Sequence, residues 1–255
     1  MKRLLTIIIG LFLLISLNGQ ILRYSNYVAP PEEGTNDFLT NLVAYWAFEE
    51  ESGTIDDSAG DNNSTGCDAD YGSTGINGNC LSFTAASSDV VTFADADALR
   101  MYDQDFTYVA WINPVDYPAA SQYYGIIGGE NNSPSFSMYT TTAYLRVSAT
   151  AISDGPLGAL YATTSAWNMV AIVFDSNVTT NNVTYYLNGA TATGTFNVDF
   201  GSDRGTIYIG RQTGSSGYFN GLIDEVMIWK GRKLTTNELD DLYNGGTGLF
   251  FTDFD

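Results

Sequence analysis

The stretch GLIDEVMIWK, residues 221–230, places two adjacent acids in the middle of an apolar run. Its aliphatic and aromatic residues are typical of a strand that is buried on both faces. Because successive side chains of a strand point to opposite faces, the pattern predicts Asp224 on one face and Glu225 on the other, beside Met227 and Trp229. A buried and unpaired carboxylate costs free energy, so each acid requires a partner.

Composition indicates an all-β domain. The chain has 255 residues, of which 44% are hydrophobic and 14% aromatic, which is enough to fill a core. Short strand signals separated by turn residues recur from LVAYWAF, residues 42–48, to the C-terminal stretch. No amphipathic helix interrupts this series, which is typical of a β-sandwich or barrel.

Two local signals predict the ends of particular elements. Asn188 and Gly189 are the residues preferred in a two-residue hairpin turn, so we expect the flanking segments to pair. The segment TTNELDDLYNGG, residues 235–246, predicts one short C-terminal helix that is capped at Thr235 or Thr236. Its spaced leucines give the helix one apolar face for packing on a sheet.

The N-terminus has the pattern of a signal peptide at residues 1–20. Lys2 and Arg3 precede an apolar core that is short for a membrane span. We expect a linker-like lead-in at 21–40 and the folded domain at 41–255. The alternative is that the leader is retained as an anchor. Cleavage predicts a secreted or cell-surface protein with no segment inserted in the membrane.

Charge and the absence of histidine exclude several classes of function. The chain has 29 acids against 10 lysines and arginines, a formal net charge of −19. Such a surface repels nucleic acid and anionic membranes, whereas divalent cations are natural partners. The alternative is that the acids serve solubility in a salty medium. The sequence contains no histidine, which excludes Ser-His-Asp triads and histidine-ligated zinc.

Two cysteines, Cys67 and Cys80, bracket the segment GCDADYGSTGINGNC. An exported protein meets an oxidising environment, and the intervening glycines let the chain double back. We therefore expect a disulfide between them. The alternative is a pair of free, buried thiols.

Six segments form an ordered set of motifs along residues 41–244: LVAYWAFEEESGTIDDSAG, GNCLSFTAASSDVVTF, FTYVAWINP, WNMVAIVFD, VTYYLNG and GLIDEVMIWKGRKLTTNELDDLYNG. In this order they resemble laminin-G-like domains of the concanavalin A-like lectin/glucanase group. The resemblance spans about residues 41–244, and it implies a jelly-roll β-sandwich of two antiparallel sheets. Many such domains are non-catalytic modules for glycan binding or adhesion, and others are structural.

The same resemblance implies a structural calcium ion. In these domains an acid of the loop that is TIDDSAGDNNS here converges with an acid of the closing strand, which implies Asp57 and Asp224 as ligands. Backbone carbonyls near Gly53 and Asn63 are expected to complete an all-oxygen site of the kind that Ca²⁺ prefers. The alternative is that Asp57 makes an Asx turn and Asp224 accepts backbone hydrogen bonds.

Catalysis is not expected. Laminarinase-type glycoside hydrolases of this fold carry an E-x-D-x-E strand, which places three acids on one face. The sequence contains no such run. A glycoside hydrolase is therefore the third hypothesis, after a binding or adhesion module and a purely structural component of a cell surface or virion.

Aromatic residues in loop-like contexts are candidates for binding a glycan or a surface partner. Sugar rings stack on aromatic faces, and planar polar groups bind their hydroxyls. SQYYGIIGGENN contains Tyr123 and Tyr124, and IGRQTGSSGYF contains Arg211 and Tyr218. We predict these four residues as ligand contacts. The alternative is that they are ordinary surface or core residues of the sandwich.

Overall fold

The computed structural model describes residues 37–102, 104–130, 133–140, 144–148, 160–196, 206–214 and 216–254. They lie in a compact unit, Asn36–Asp255, in which two antiparallel sheets pack face to face. The predicted β-sandwich is therefore confirmed, whereas the predicted signal peptide at residues 1–20 lies outside the described residues. No helix in the described part has the length and apolar character needed to cross a membrane.

The first sheet has eight strands among the described residues. Its order is β12-β11-β10-β6-β14-β4-β3, with β1 pairing on β14. The strands are β1 Leu42–Trp46, β3 Asp70–Thr74, β4 Asn79–Phe83, β6 Phe106–Pro114, β10 Asn168–Phe174, β11 Val183–Leu187, β12 Ala190–Gly194 and β14 Gly221–Lys230.

The second sheet has six strands among the described residues, in the order β2-β5-β13-β7-β8-β9. Beside these strands, Tyr161 forms an isolated antiparallel bridge with Tyr144. The strands are β2 Ser64–Cys67, β5 Val91–Phe93, β7 Tyr123–Gly129, β8 Ser135–Tyr139, β9 Tyr144–Ser148 and β13 Ile207–Ile209.

Apolar side chains fill two layers. The larger core lies between the sheets, where Trp46 packs on Phe93 with ring centres 4.2 Å apart. A second core covers the outer face of the eight-stranded sheet, where Trp111 and Trp229 meet the C-terminal helix α1, Thr236–Tyr243. The helix, Phe38 and Phe254 thus cover the outer face of the eight-stranded sheet, as the apolar face of the helix predicts.

The local turn and cap signals are confirmed. Asn188 and Gly189 have φ angles of 49° and 89°, the left-handed conformation that the tight turn between β11 and β12 requires. Thr235 caps α1, because its side-chain oxygen accepts a hydrogen bond from the backbone nitrogen of Glu238. The carboxylate of Glu238 in turn accepts a hydrogen bond from the backbone nitrogen of Thr235. This reciprocal pair satisfies two donors that the helix start leaves unpaired.

Strand β14 does not alternate as predicted, because it contains a β-bulge at its two acids. Trp111 pairs with Asp224 and Val109 pairs with Met227, so two steps along β6 oppose three steps along β14. The extra residue is Glu225, which has a φ of 51°. The prediction that the acids point to opposite faces is therefore wrong: the bulge changes the parity and turns both toward the outer side of the sheet.

The predicted disulfide is also wrong for this structure, in which Cys67 and Cys80 are free thiols. Cys67 ends β2 in the six-stranded sheet, and its Sγ lies 3.7 Å from the carbonyl oxygen of Ala69. Cys80 is buried in β4 of the other sheet, where it pairs with Ser73. The intervening glycines do let the chain reverse direction, in the turn of the β3–β4 hairpin. This reversal leaves Cys67 and Cys80 in different sheets.

Candidate functional site

The outer face of the six-stranded sheet carries polar and aromatic side chains. Strands β8 and β9 alternate, so that Phe136, Met138, Leu145 and Val147 enter the core between the sheets. The residues between them therefore point outward. These outward residues are Ser135, Ser137 and Tyr139 on β8, and Tyr144, Arg146 and Ser148 on β9.

Four tyrosines lie in one row across this face. Tyr139 pairs directly with Tyr123 on one side and with Tyr144 on the other, and Tyr144 forms an isolated bridge with Tyr161. Directly paired residues share a face of an antiparallel sheet, so the four side chains are neighbours. The ring centres of Tyr123 and Tyr139 are 4.5 Å apart, and those of Tyr139 and Tyr144 are 5.4 Å apart. We call these four residues the tyrosine row.

The tyrosine row is exposed mainly at its Tyr161 end. Tyr123, Tyr139 and Tyr144 are half-buried, whereas Tyr161 is 56% exposed. Burial raises the pKa of Tyr144, and the neighbouring Tyr139 adds to this shift. The hydroxyl of Tyr144 is therefore protonated at neutral pH, so this ring is neutral.

Arg146 holds two rings of the row in place. Its guanidinium carbon lies 5.0 Å from the ring centre of Tyr123 and 4.9 Å from that of Tyr139. Its Nη1 also donates a hydrogen bond to the Tyr123 hydroxyl at 2.6 Å. A cation over aromatic faces is attracted to their electron density. Because the side chain is 3% exposed, it acts as an internal support for the row.

The segment 211–214 crosses the same face beside the row. It fits because β7 has glycine where it crosses: a Cβ at Gly125 would lie 2.1 Å from the backbone nitrogen of Gln212, and one at Gly128 would lie 2.0 Å from the carbonyl oxygen of Arg211. The Gln212 amide donates a hydrogen bond to the hydroxyl of Ser148 at 3.0 Å. The backbone thus lies directly on the strand.

The four residues predicted as ligand contacts separate into two groups. Tyr123 belongs to the row, and Arg211 lies on the same face, stacked 3.6 Å over the ring centre of Tyr208. Tyr124 packs toward the core between the sheets, and its hydroxyl donates to Asp116 at 2.7 Å. Tyr218 is half-buried in the segment that leads into β14. The structure therefore brings two of the four to one face.

Sequence analysis missed Tyr139, Tyr144, Tyr161 and Arg146. The first two end and begin consecutive strands, so a hairpin register would have placed them opposite each other. Arg146 follows Tyr144 by two residues and therefore shares its face. Alternation within each strand, combined with the pairing of neighbouring strands, would therefore have predicted this site. Loop context alone does not predict it.

The two acids of the β14 bulge are buried together. Asp224 accepts hydrogen bonds from the backbone nitrogens of Ile76 and Asn77, and Glu225 accepts from the Asn77 amide and from the hydroxyl of Tyr45. Burial is the main cause that raises the pKa of Asp224 to about 9 and that of Glu225 to about 7, and the charge of Glu225 further raises that of Asp224. The partners that each acid requires are thus neutral donors of the β3–β4 turn and of β1.

The other predicted calcium ligands make hydrogen bonds of their own. Asp57 accepts from the backbone nitrogens of Tyr45 and Ala59 and from Asn62, which is the Asx-type alternative. The carbonyl oxygen of Gly53 accepts from a tyrosine hydroxyl, and the side-chain oxygen of Asn63 accepts from the Asp57 backbone. Across the described part of the chain, no three His, Cys, Asp or Glu side chains gather as a metal site. Calcium at Asp57, Asp224, Gly53 and Asn63 stays a prediction.

Solved structures with the same architecture come from several kinds of protein. Domain 4 of AbnA, an extracellular GH43 arabinanase from Geobacillus stearothermophilus solved with arabinotriose, is 20% identical, with a TM-score of 0.60 over 79% of this chain and 97% of that one. The botulinum neurotoxin serotype C1 binding domain is 14% identical, with a TM-score of 0.59 over 81% and 52%. A Trypanosoma rangeli sialidase solved with sialic acid is 16% identical, with a TM-score of 0.57 over 82% and 34%.

These likenesses establish the fold alone, and this chain spans about half of the toxin domain and a third of the sialidase. A search of curated protein sequences finds no match. A family model described as the concanavalin A-like lectin/glucanases superfamily matches residues 85–240, which is more than half of the chain. Together with the sandwich of two antiparallel sheets, this match shows that the chain belongs to the concanavalin A-like lectin/glucanase superfamily.

Proposed function

We propose that this protein is an exported, non-catalytic module that binds glycans through the tyrosine row. The observation that carries the proposal is the alignment of Tyr123, Tyr139, Tyr144 and Tyr161 across one sheet face. Aromatic rings offer flat apolar surfaces to the C–H faces of sugars, while hydroxyl groups at their edges can hydrogen-bond. Four neighbouring rings on a rigid sheet are therefore suited to a saccharide.

The surroundings of the row favour binding over hydrolysis. Retaining glycoside hydrolysis requires two carboxyl groups about 5 Å apart beside the scissile bond. The contacts described for the row involve Arg146 and the rings themselves. The buried acids Asp224 and Glu225 belong to the other sheet and face its outer side. Among the described residues, the contacts of the row include no such acid pair, which supports a module without hydrolase activity.

We also propose that a structural calcium ion binds at the β14 bulge. Asp224 and Glu225 would hold it, and Glu49 lies close enough to raise the pKa of Glu225 by its charge. Ca²⁺ takes about 6–8 oxygen ligands. A carbonyl oxygen does lie beside the acids, because a Cβ built at Gly75 would be 2.3 Å from an Asp224 carboxylate oxygen and 2.5 Å from the carbonyl oxygen of Asn79. When bound, the ion would neutralise two carboxylates that burial now disfavours in their charged form.

A glycan array tests the proposed function. The purified protein should give specific hits, and Tyr161→Ala should lose them because this ring is the exposed end of the row. Tyr117→Ala is the matched control, since Tyr117 is 42% exposed but lies outside the row in the β6–β7 loop.

Two results would contradict the proposal. A blank array combined with ordered self-assembly in electron micrographs would favour a structural surface or virion component. Release of reducing sugar from a polysaccharide, abolished by one carboxylate substitution, would favour a hydrolase.

A further inference from the structure

The arginines described on the outer face of the six-stranded sheet are already engaged by the protein. Arg146 is 3% exposed and supports the rings of Tyr123 and Tyr139. Arg211 lies flat on Tyr208, and its Nη2 is 3.5 Å from a carboxylate oxygen of Glu130. That same oxygen accepts a hydrogen bond from the Tyr208 hydroxyl at 2.6 Å. A carboxylate on a ligand would therefore have to break an existing contact to reach either guanidinium.

The overall charge also disfavours an anionic ligand. The chain has 29 acids against 10 lysines and arginines. Several of its cations are bound to the protein itself: Arg232 pairs with Glu238, and Lys233 pairs with Asp175. A polyanion would thus approach a surface of like charge, which slows encounter and lowers affinity.

The shape of the row suits a chain rather than a single sugar. The row crosses β7, β8 and β9 and continues to Tyr161, so it spans three strand spacings of about 4.8 Å each. It lies on a sheet face and ends in a ring that is 56% exposed. A saccharide chain can therefore lie along the row and extend past its open end.

We propose that the ligand of the tyrosine row is an uncharged polysaccharide chain, bound along its length against the half-buried rings of Tyr123, Tyr139 and Tyr144 and stacked on the exposed ring of Tyr161. This inference rests on the proposed glycan-binding function and narrows it to one chemical class. Affinity should then depend on aromatic rings and on chain length. It should depend little on salt, because stacking on neutral sugars involves no ion pairs.

Affinity electrophoresis with two polymers of one backbone tests the ligand class. Hydroxyethyl cellulose is neutral and carboxymethyl cellulose is anionic, so the comparison isolates charge; arabinan and polygalacturonate, which differ in backbone, add a second neutral and a second anionic polymer in the same gels. We expect at least one neutral polymer to retard the protein, its anionic counterpart to act at least about ten-fold more weakly, and 0.5 M NaCl to leave the neutral interaction intact. For the retarding polymer, oligosaccharides of two to six sugars should bind more tightly with each added sugar until the row is covered.

Three variants test the residues. Tyr161→Ala should weaken binding by about ten-fold, because one stacked ring is lost. Tyr161→Phe should bind nearly as well as the wild type, since the ring remains. Tyr117→Ala should bind like the wild type.

The failure of this inference is distinguishable from the failure of the proposed function. Tighter binding to the anionic polymers, abolished by salt, would overturn the neutral-ligand inference and leave a glycan-binding module. Neutral binding that Tyr161→Ala leaves intact would also overturn it, because the row would then not be the site. No binding to any polymer or to a glycan array would overturn both.

Discussion

The close crossing of segment 211–214 over β7 predicts that Gly125 tolerates no side chain. A Cβ at this position would lie 2.1 Å from the backbone nitrogen of Gln212 and 2.2 Å from the carbonyl carbon of Arg211, so the crossing segment must move. Overpacking of this kind costs about 1–3 kcal/mol. The displacement also threatens two hydrogen bonds, Gly125 nitrogen to Gly217 oxygen and Gln212 to Ser148, worth about 1 kcal/mol each. We expect Gly125→Ala to lower the free energy of unfolding by about 3 kcal/mol.

Urea denaturation measures this loss, and Gly66→Ala provides the control. Gly66 lies on β2, has no atom within 4 Å of a built Cβ and has no left-handed φ. Its substitution should therefore be neutral or stabilise by up to about 1 kcal/mol, through the lower entropy of the unfolded chain. The reasoning fails if Gly125→Ala and Gly66→Ala unfold at the same urea concentration, because the segment would then not lie on the strand.

Three further predictions concern stability. Removal of calcium with EGTA should lower the Tm by roughly 5–10 °C, which is the effect of losing an ion that is present at about 100 times its Kd. Asp224→Asn should abolish this response. A wild-type Tm that EGTA does not change would contradict the calcium site. Thr235→Ala should cost about 1 kcal/mol in urea denaturation by removing the helix cap, whereas Thr236→Ala should not; equal losses would refute the cap. The hydrogen bond from Lys233 holds the pKa of Asp175 below its usual value, so this pair stabilises the fold above about pH 4 and its contribution is lost as the pH falls further. Urea midpoints measured between pH 6 and pH 3 should therefore fall less in Lys233→Met than in the wild type, and parallel profiles would count against the pair.

Much of the fold could be predicted because its signals are local. Asn188 and Gly189 determine a hairpin turn by their own conformational preferences, and Thr235 and Glu238 cap a helix within one turn. The apolar strands were visible one by one for the same reason. Such features depend on residues close together in the chain, and a single sequence contains that information.

The site and the bulge depend on pairing between distant segments. Alternation alone placed Asp224 and Glu225 on opposite faces, because the extra residue appears only when β14 is aligned with β6. The glycines between Cys67 and Cys80 suggested a loop closed by a disulfide, although they form a hairpin that leaves the thiols in different sheets. Tyr161 belongs to the site through one bridge to Tyr144. None of these relations can be read from composition or spacing.

The tyrosine row is assembled from four separate stretches of chain, each of which contributes one ring. A one-residue slip of β8, of β9 or of the stretch around Tyr161 would turn its tyrosine toward the core and bring a residue such as Met138, Leu145 or Leu160 to the outer face in its place. Partial slippage would therefore not produce a weaker copy of the same surface but a surface with a missing ring. If the row binds a glycan as proposed, full binding strength therefore requires these stretches to be in register at the same time.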